Sequence, residues 1–144
     1  MREIRIERDY PHPPERVWRA LTTPELLARW LMPNDFLPTV GHTFTFRTDP
    51  GPGFDGIIHS EVLELDAPSR LVLAWRASGQ DTRVVFDLTE LDGATRLVLV
   101  HEGFRGLGGF AIRALLGRGW RRLLGQALSE LLDSSPPPTP SEAP

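Results

Sequence analysis

One long apolar stripe near the C-terminal end of the 144-residue chain limits the folds open to it. Its members recur at i, i+4, i+7, i+8, i+11, i+12 and i+15, the spacing of one face of an α-helix. They are Leu116, Trp120, Leu123, Leu124, Ala127, Leu128 and Leu131. A helix with so long an apolar face must bury that face against another layer of structure.

The chain before this helix is dominated by extended segments separated by turns. In six segments, apolar residues either alternate with polar ones or cluster with β-branched residues, as they do in half-buried strands. The predicted strands cover residues 2–10, 43–48, 54–65, 71–75, 82–91 and 95–101. Short turns such as Asp92-Gly93 join the last five, which predicts antiparallel pairing in sequence order.

Two short helices are predicted between the first and second strands. Pro13-Pro14 and Pro24 preset the backbone for a first helical turn, and apolar residues follow at helical spacing. We therefore expect an α+β fold in which a curved antiparallel sheet of about six strands wraps around the long C-terminal helix. The two short helices would close one edge.

The domain boundaries follow from the same pattern. We expect a single domain over residues 1–133 and a disordered, proline-rich tail over residues 134–144. The glycine-rich segment 103–110, between the last strand and the apolar stripe, is predicted to be mobile or irregular.

Composition and charge exclude several classes of function. A net charge of -3 and a pI of about 5.8 argue against a nucleic-acid partner, which usually requires a basic face. The chain has no cysteine, which rules out disulfides and thiolate chemistry. It shows neither a signal-peptide core nor an apolar run long enough to cross a bilayer, so we expect a cytoplasmic protein without stable membrane insertion.

Ionisable residues that could carry chemistry are few and scattered. The four histidines are His12, His42, His59 and His101, and no pair has the spacing of a metal site. We therefore predict no metal, no cofactor and no catalytic residue. His101 shares the parity of Leu97 and Leu99 and should point inward, either as a hydrogen-bonded core residue or as a polar anchor or general acid. Whether Glu61 or Glu64 points inward is left open.

A strongly curved sheet around one helix often leaves space between the two layers, and such cavities bind apolar ligands. The residues predicted to surround this cavity are mostly aromatic, although core filling is the alternative role for each of them. The predicted ligand-binding residues are Trp30, Met32, Phe36, Phe44, Phe46, Trp75, Leu99, His101, Phe104, Trp120 and Leu124.

Several segments resemble a known family. The opening PERVWRALTTPELLARW over residues 14–30, EVLEL over residues 61–65 and HEGF over residues 101–104 look like the SRPBCC (START-like) superfamily. Within it they are most similar to the branch homologous to the activator of Hsp90 ATPase. The resemblance extends to about Leu132 and implies a helix-grip fold. In this branch the second short helix often ends in paired tryptophans, whereas here Trp30 precedes Leu31-Met32.

Three functions are consistent with these observations. The first is non-enzymatic binding of a small hydrophobic or aromatic molecule inside the cavity. The second is a polyketide cyclase/aromatase-like enzyme, and the third a co-chaperone-like protein-interaction domain, as the resemblance would imply. The sequence is also compatible with a homodimer.

Overall fold

The computed structural model describes residues 3–134, which form one antiparallel sheet and a set of helices. The predicted tail lies outside the described residues, except for Ser134. The strands are β1 (Ile4–Tyr10), β2 (Thr43–Arg47), β3 (Ile57–Asp66), β4 (Arg70–Ala77), β5 (Gln80–Leu91) and β6 (Ala94–Glu102). The helices are α1 (Pro14–Thr22), α2 (Pro24–Trp30), α3 (Gly106–Arg122) and α4 (Leu128–Ser134), with a π-helical turn over Leu123–Ala127 between α3 and α4.

The sheet has six strands in the order β1-β6-β5-β4-β3-β2, and every neighbouring pair is antiparallel. The predicted meander is therefore confirmed, and β1 completes it by pairing with the last strand. Leu71 lies opposite Phe86, and Phe86 opposite Leu99, so the apolar residues of successive strands share one face. The α+β, helix-grip architecture predicted from the sequence is confirmed, because this face packs against the C-terminal helix.

The C-terminal helix, by which we mean α3, the π-helical turn and α4 together, begins earlier than the apolar stripe suggested. The expectation of an irregular segment over residues 103–110 was wrong from Gly106 onward, where α3 starts. Glycine disfavours a helix, but two tertiary contacts hold this one. The Gln80 side chain accepts a hydrogen bond from the Arg105 N–H at 2.8 Å and donates one to the Arg105 carbonyl at 3.2 Å. Gly109 packs so closely that an added Cβ would lie 2.9 Å from the Gln80 Oε1.

At its other end, the C-terminal helix is packed against the two short helices and the sheet. Leu124 and Leu128 are fully buried there. The Tyr10 hydroxyl donates to the Leu124 carbonyl at 2.7 Å, inside the π-helical turn, and burial raises the pKa of that hydroxyl. Arg16 donates to the Leu132 carbonyl at 2.6 Å. These contacts fix the second half of the helix on the sheet.

Candidate functional site

A cleft of about 550 Å³ lies between the sheet and the first half of the C-terminal helix. Its wall comes from the β2–β3 loop, the β4–β5 hairpin, the end of α2 and one side of α3. The lining residues are Leu31, Met32, Thr48, Pro52, Gly53, Phe54, Ile58, Trp75, Ala77, Ser78, Gln80, Thr82, Phe104, Gly108, Ala111, Ile112, Leu115, Leu116, Gly119, Trp120 and Leu123. Its volume is within the range of small-molecule sites.

The cleft exists because small residues occupy the helical side of its wall. Gly108, Ala111 and Gly119 all line it, and an added Cβ at Gly108 or Gly119 would meet no atom within 4 Å. On the sheet side, Trp75 of β4 packs against Trp120 of the same helix, with ring centroids 5.4 Å apart. A helix of leucines at these positions would fill the space, whereas the glycines leave it empty.

The cleft opens to solvent on one side. Its exposed lining residues come from three segments: Thr48, Pro52 and Gly53 of the β2–β3 loop, Ser78 of the β4–β5 turn, and Gly108, Ala111 and Leu115 of α3. Phe54 of the same loop is half-buried against the core, and its backbone pairs with that of Gly51 through two hydrogen bonds of 2.9 and 3.0 Å. The loop is therefore a hydrogen-bonded part of the rim.

Behind the cleft wall, a chain of hydrogen bonds runs through His101. The Trp120 indole N–H donates to the His101 Nδ1 at 3.0 Å. Since Nδ1 accepts, the ring proton is on Nε2, which donates to the Thr82 Oγ1 at 2.7 Å. The Thr82 hydroxyl in turn donates to the Trp75 carbonyl at 2.7 Å. Every polar atom of this buried chain has a partner, which holds the Trp120 ring and the Trp75 backbone in place.

His101 is neutral in this setting. Its side chain is fully buried, and desolvation lowers its pKa from the usual 6.5 to about 3. Trp120 and Phe104 cover it, the latter with ring centroids 4.6 Å apart. Of the two roles considered for His101, the structure places it in the hydrogen-bonded core. An uncharged imidazole with both nitrogens engaged is a poor proton donor at neutral pH.

Of the eleven predicted ligand-binding residues, four line the cleft: Met32, Trp75, Phe104 and Trp120. The other seven are buried in the core and are not brought to the cleft wall. They are Trp30, Phe36, Phe44, Phe46, Leu99, His101 and Leu124. Trp30 shows the difference, since its indole N–H is used in a hydrogen bond of 2.9 Å to the Ala20 carbonyl. A ligand-binding role for the eleven stays a prediction.

The remaining ionisable candidates are directed away from the cleft. His59 is exposed on the outer face of the sheet, and the half-buried His12 and His42 contact Asp133 and the Asp35 carbonyl. Neither glutamate points inward: Glu64 pairs with Arg70 at 2.7 Å. Glu61 lies on the outer face, 4.0 Å from Arg76. Within residues 3–134, no group of three His, Asp or Glu side chains could hold a metal ion.

Sequence reasoning missed the residues that shape the opening. Phe54 is predicted to begin a strand, whereas the structure places it in the β2–β3 loop. Ile112 and Leu115 fall between the segment expected to be irregular and the apolar stripe, and Leu116 belongs to the stripe but is not among the predicted ligand-binding residues. A signal was present: small residues at 108, 111 and 119 recur at helical spacing and mark a helix face that cannot fill a core.

No helix in the described part of the chain combines the length and apolarity needed to cross a membrane.

The sheet, the gripped helix and the apolar cleft define a helix-grip, ligand-cavity type of domain. The chain belongs to the family described as Activator of Hsp90 ATPase homolog 1-like protein, whose model matches residues 11–133, within the SRPBCC superfamily. No protein of curated function matches it.

Solved structures agree with this membership. Protein MLL2253 from Mesorhizobium loti is 35% identical with a TM-score of 0.85, and the match covers 94% of this chain and 99% of that one. BH1534 from Bacillus halodurans is 26% identical with a TM-score of 0.76, covering 92% and 97% of the two chains. DynU16, from the dynemicin biosynthetic locus, is 26% identical with a TM-score of 0.78, covering 93% of this chain but 48% of DynU16.

Proposed function

We propose that this protein binds a small, uncharged hydrophobic or aromatic molecule in the cleft and does not transform it. The observation that carries this proposal is the chemistry of the wall. Among the described residues that line the cleft, none is Asp, Glu, His or Arg, and most are apolar. A charged ligand buried there would lose its hydration without gaining a partner, which costs several kcal/mol.

The polar groups on the wall support the same choice of ligand. The Thr82 hydroxyl and the Trp120 indole N–H are engaged in the His101 chain, and the Gln80 amide holds the Arg105 backbone. Breaking these hydrogen bonds to satisfy a carboxylate would leave buried groups unpaired. The ligand is therefore held by apolar contact with Trp75, Trp120 and their neighbours rather than by polar anchors.

Binding is favoured over the enzymatic alternative by the position of His101. A polyketide cyclase-like reaction requires a group that moves protons at the substrate, and His101 is the only ionisable side chain near the cleft that sequence reasoning offered for it. It lies behind Trp120 and Phe104 with a lowered pKa. The biosynthetic locus named for DynU16 fits a family that handles small molecules. We place this role in the cytoplasm, as expected from the sequence.

The test uses Gly119, because a side chain at this position would project into empty space in the cleft. N-phenyl-1-naphthylamine, a neutral aromatic probe, should fluoresce on binding the wild-type protein. The Gly119→Phe variant should lose this signal, since the phenyl ring occupies the site. Gly119→Ala is the matched control: it keeps the cleft and favours the helix by about 1 kcal/mol. Equal probe binding by the two variants would refute the proposal.

A further inference from the structure

The first half of the C-terminal helix carries a second apolar face, which is exposed to solvent beside the cleft. Its members recur at i, i+3, i+4, i+7 and i+8, and all are exposed. We call this face the outer stripe, and it comprises Leu107, Phe110, Ala111, Ala114 and Leu115. The exposed fractions of Leu107, Phe110 and Leu115 are 90%, 63% and 65%. A surface helix normally presents polar residues on this side.

Arginines continue the same face at its C-terminal end. Arg118, Arg121 and Arg122 follow at the next helical repeats and are exposed, and the Arg113 guanidinium lies 5.4 Å from the Phe110 ring centroid. Between Glu102 and Glu130 the sequence contains five arginines and no acidic residue, although the whole chain carries a net charge of -3. The segment is thus a basic region in an acidic protein.

These helical arginines differ from those on the outer face of the sheet. Arg70, Arg83 and Arg96 each pair with a carboxylate at 2.7 to 2.9 Å. Among the ion pairs formed by residues 3–134, none involves Arg118, Arg121 or Arg122. Their charge is left for an external anionic partner.

We propose that the outer stripe and these arginines dock the protein on the surface of an anionic lipid bilayer. Leu107, Phe110 and Leu115 would enter the boundary between head groups and acyl chains, and the arginines would contact lipid phosphates. The docking is peripheral and does not require the helix to cross the membrane.

Two further observations favour a bilayer over other occupants. A second copy of this chain, docked through the same helix in a two-fold contact, would offer no carboxylate to these arginines, because the segment between Glu102 and Glu130 has no acidic residue. In addition, Ala111 and Leu115 belong both to the outer stripe and to the cleft wall. Docking would therefore set the cleft mouth against the acyl-chain boundary, so an apolar ligand could move between them without crossing bulk water.

The experiment measures co-sedimentation of the full chain with vesicles. The protein should bind vesicles of equal parts phosphatidylglycerol and phosphatidylcholine, bind pure phosphatidylcholine much more weakly, and dissociate as sodium chloride is raised. Replacing Arg121 and Arg122 by Gln should lower the partition coefficient about fivefold per residue. The double variant Phe110→Ser/Leu115→Ser should abolish binding.

The controls separate this surface from others and from the cleft. Arg83→Gln removes a charge that is paired with Glu102 on the sheet, and Val40→Ser removes an exposed apolar side chain outside the helix; both should bind like wild type. Gly119→Phe should also bind vesicles normally, so loss of probe binding and loss of docking are distinguishable. Equal binding to neutral vesicles, or normal binding by the outer-stripe variants, would overturn the proposal. So would a dimer in sedimentation that these variants convert to monomer without any vesicle binding.

Discussion

The two ends of the sheet–helix interface are built from different residues. At the closed end, Leu124, Leu128 and Leu132 of the C-terminal helix are buried against α1, α2 and the sheet. At the open end, the same helix presents Gly108 and Gly119 to the sheet, and the space between them remains empty. One continuous helix therefore serves as a core element over one half and as a cleft wall over the other.

This difference shows that side-chain volume, rather than a change of topology, makes the cleft. The strands of the sheet pair in one unbroken order across both ends. Large residues on the helix close the gap where α1 and α2 also pack against it. Small residues keep it open at the other end, where the β2–β3 loop and the β4–β5 turn form the rim. Stability should therefore reside mainly at the closed end and ligand binding at the open end.

The largest expected effect comes from a matched pair of leucines on the C-terminal helix. Leu128→Ala at the closed end removes a fully buried side chain and should cost about 3 kcal/mol in the free energy of unfolding. Leu115→Ala at the open end removes an exposed one and should change it by less than about 0.5 kcal/mol. Urea unfolding of both variants measures the difference. Similar losses at the two sites would contradict the division of roles.

The second effect concerns the hydrogen bonds that link Trp120, His101 and Thr82, between the open and closed ends of the interface. Because burial lowers the pKa of His101 to about 3 while the unfolded chain keeps the usual 6.5, the unfolded state binds the extra proton as the pH falls. Stability from this residue is complete above pH 6.5 and is lost towards pH 3. By pH 4.5 the loss should reach about 2.5 kcal/mol.

His101→Gln provides the comparison for that measurement. The variant starts less stable, because Trp120 and Thr82 lose their partner, but it lacks the titrating ring. Its stability should fall less between pH 7.5 and pH 4.5 than that of the wild type, since the carboxylates contribute equally to both. Parallel pH profiles would show that His101 is not held neutral by the fold.

The sequence predicted the fold better than the site, for a physical reason. The alternation in the strands and the apolar stripe from Leu116 to Leu131 are local periodic patterns, and a single sequence shows such patterns directly. The inward direction of His101 followed from the same parity and is confirmed by its burial. Whether an inward-facing residue also lines the cleft depends instead on which end of the sheet–helix interface is filled by large side chains. Leu99 and Trp120 both face the helix–sheet interface, yet only Trp120 reaches the cleft wall.

Two local features could not be predicted correctly from the sequence, each for a specific reason. The orientation of Glu61 and Glu64 was undecidable because the pairing of β3 with β4 shifts register between Val62 and Glu64, which breaks the alternation that parity relies on. The start of α3 was missed because glycine propensity argues against a helix, while the contact that stabilises it comes from Gln80, more than twenty residues away. Tertiary contacts of that kind leave no periodic trace in the sequence.

The smallest effect tests how firmly the open end is held. Gln80→Leu removes both hydrogen bonds to the Arg105 backbone at the start of the C-terminal helix. We expect a loss of about 1 kcal/mol, expressed locally as faster hydrogen exchange in the first turn. The amide of Gly109, which donates to the Arg105 carbonyl at 2.9 Å, is the most direct reporter.

Gln126→Leu makes the same chemical change at an exposed position in the π-helical turn and should leave exchange at Gly109 unaltered. In both variants the amides of α4 should keep their protection, because the closed end is held by buried leucines and by the Tyr10 hydrogen bond. Faster exchange along the whole C-terminal helix in Gln80→Leu would mean that its two halves unfold as one unit. Unchanged exchange at Gly109 in Gln80→Leu would mean that other contacts, such as that between Phe104 and His101, hold the start of the helix without Gln80. The open and closed ends of the interface would then differ in side-chain volume alone.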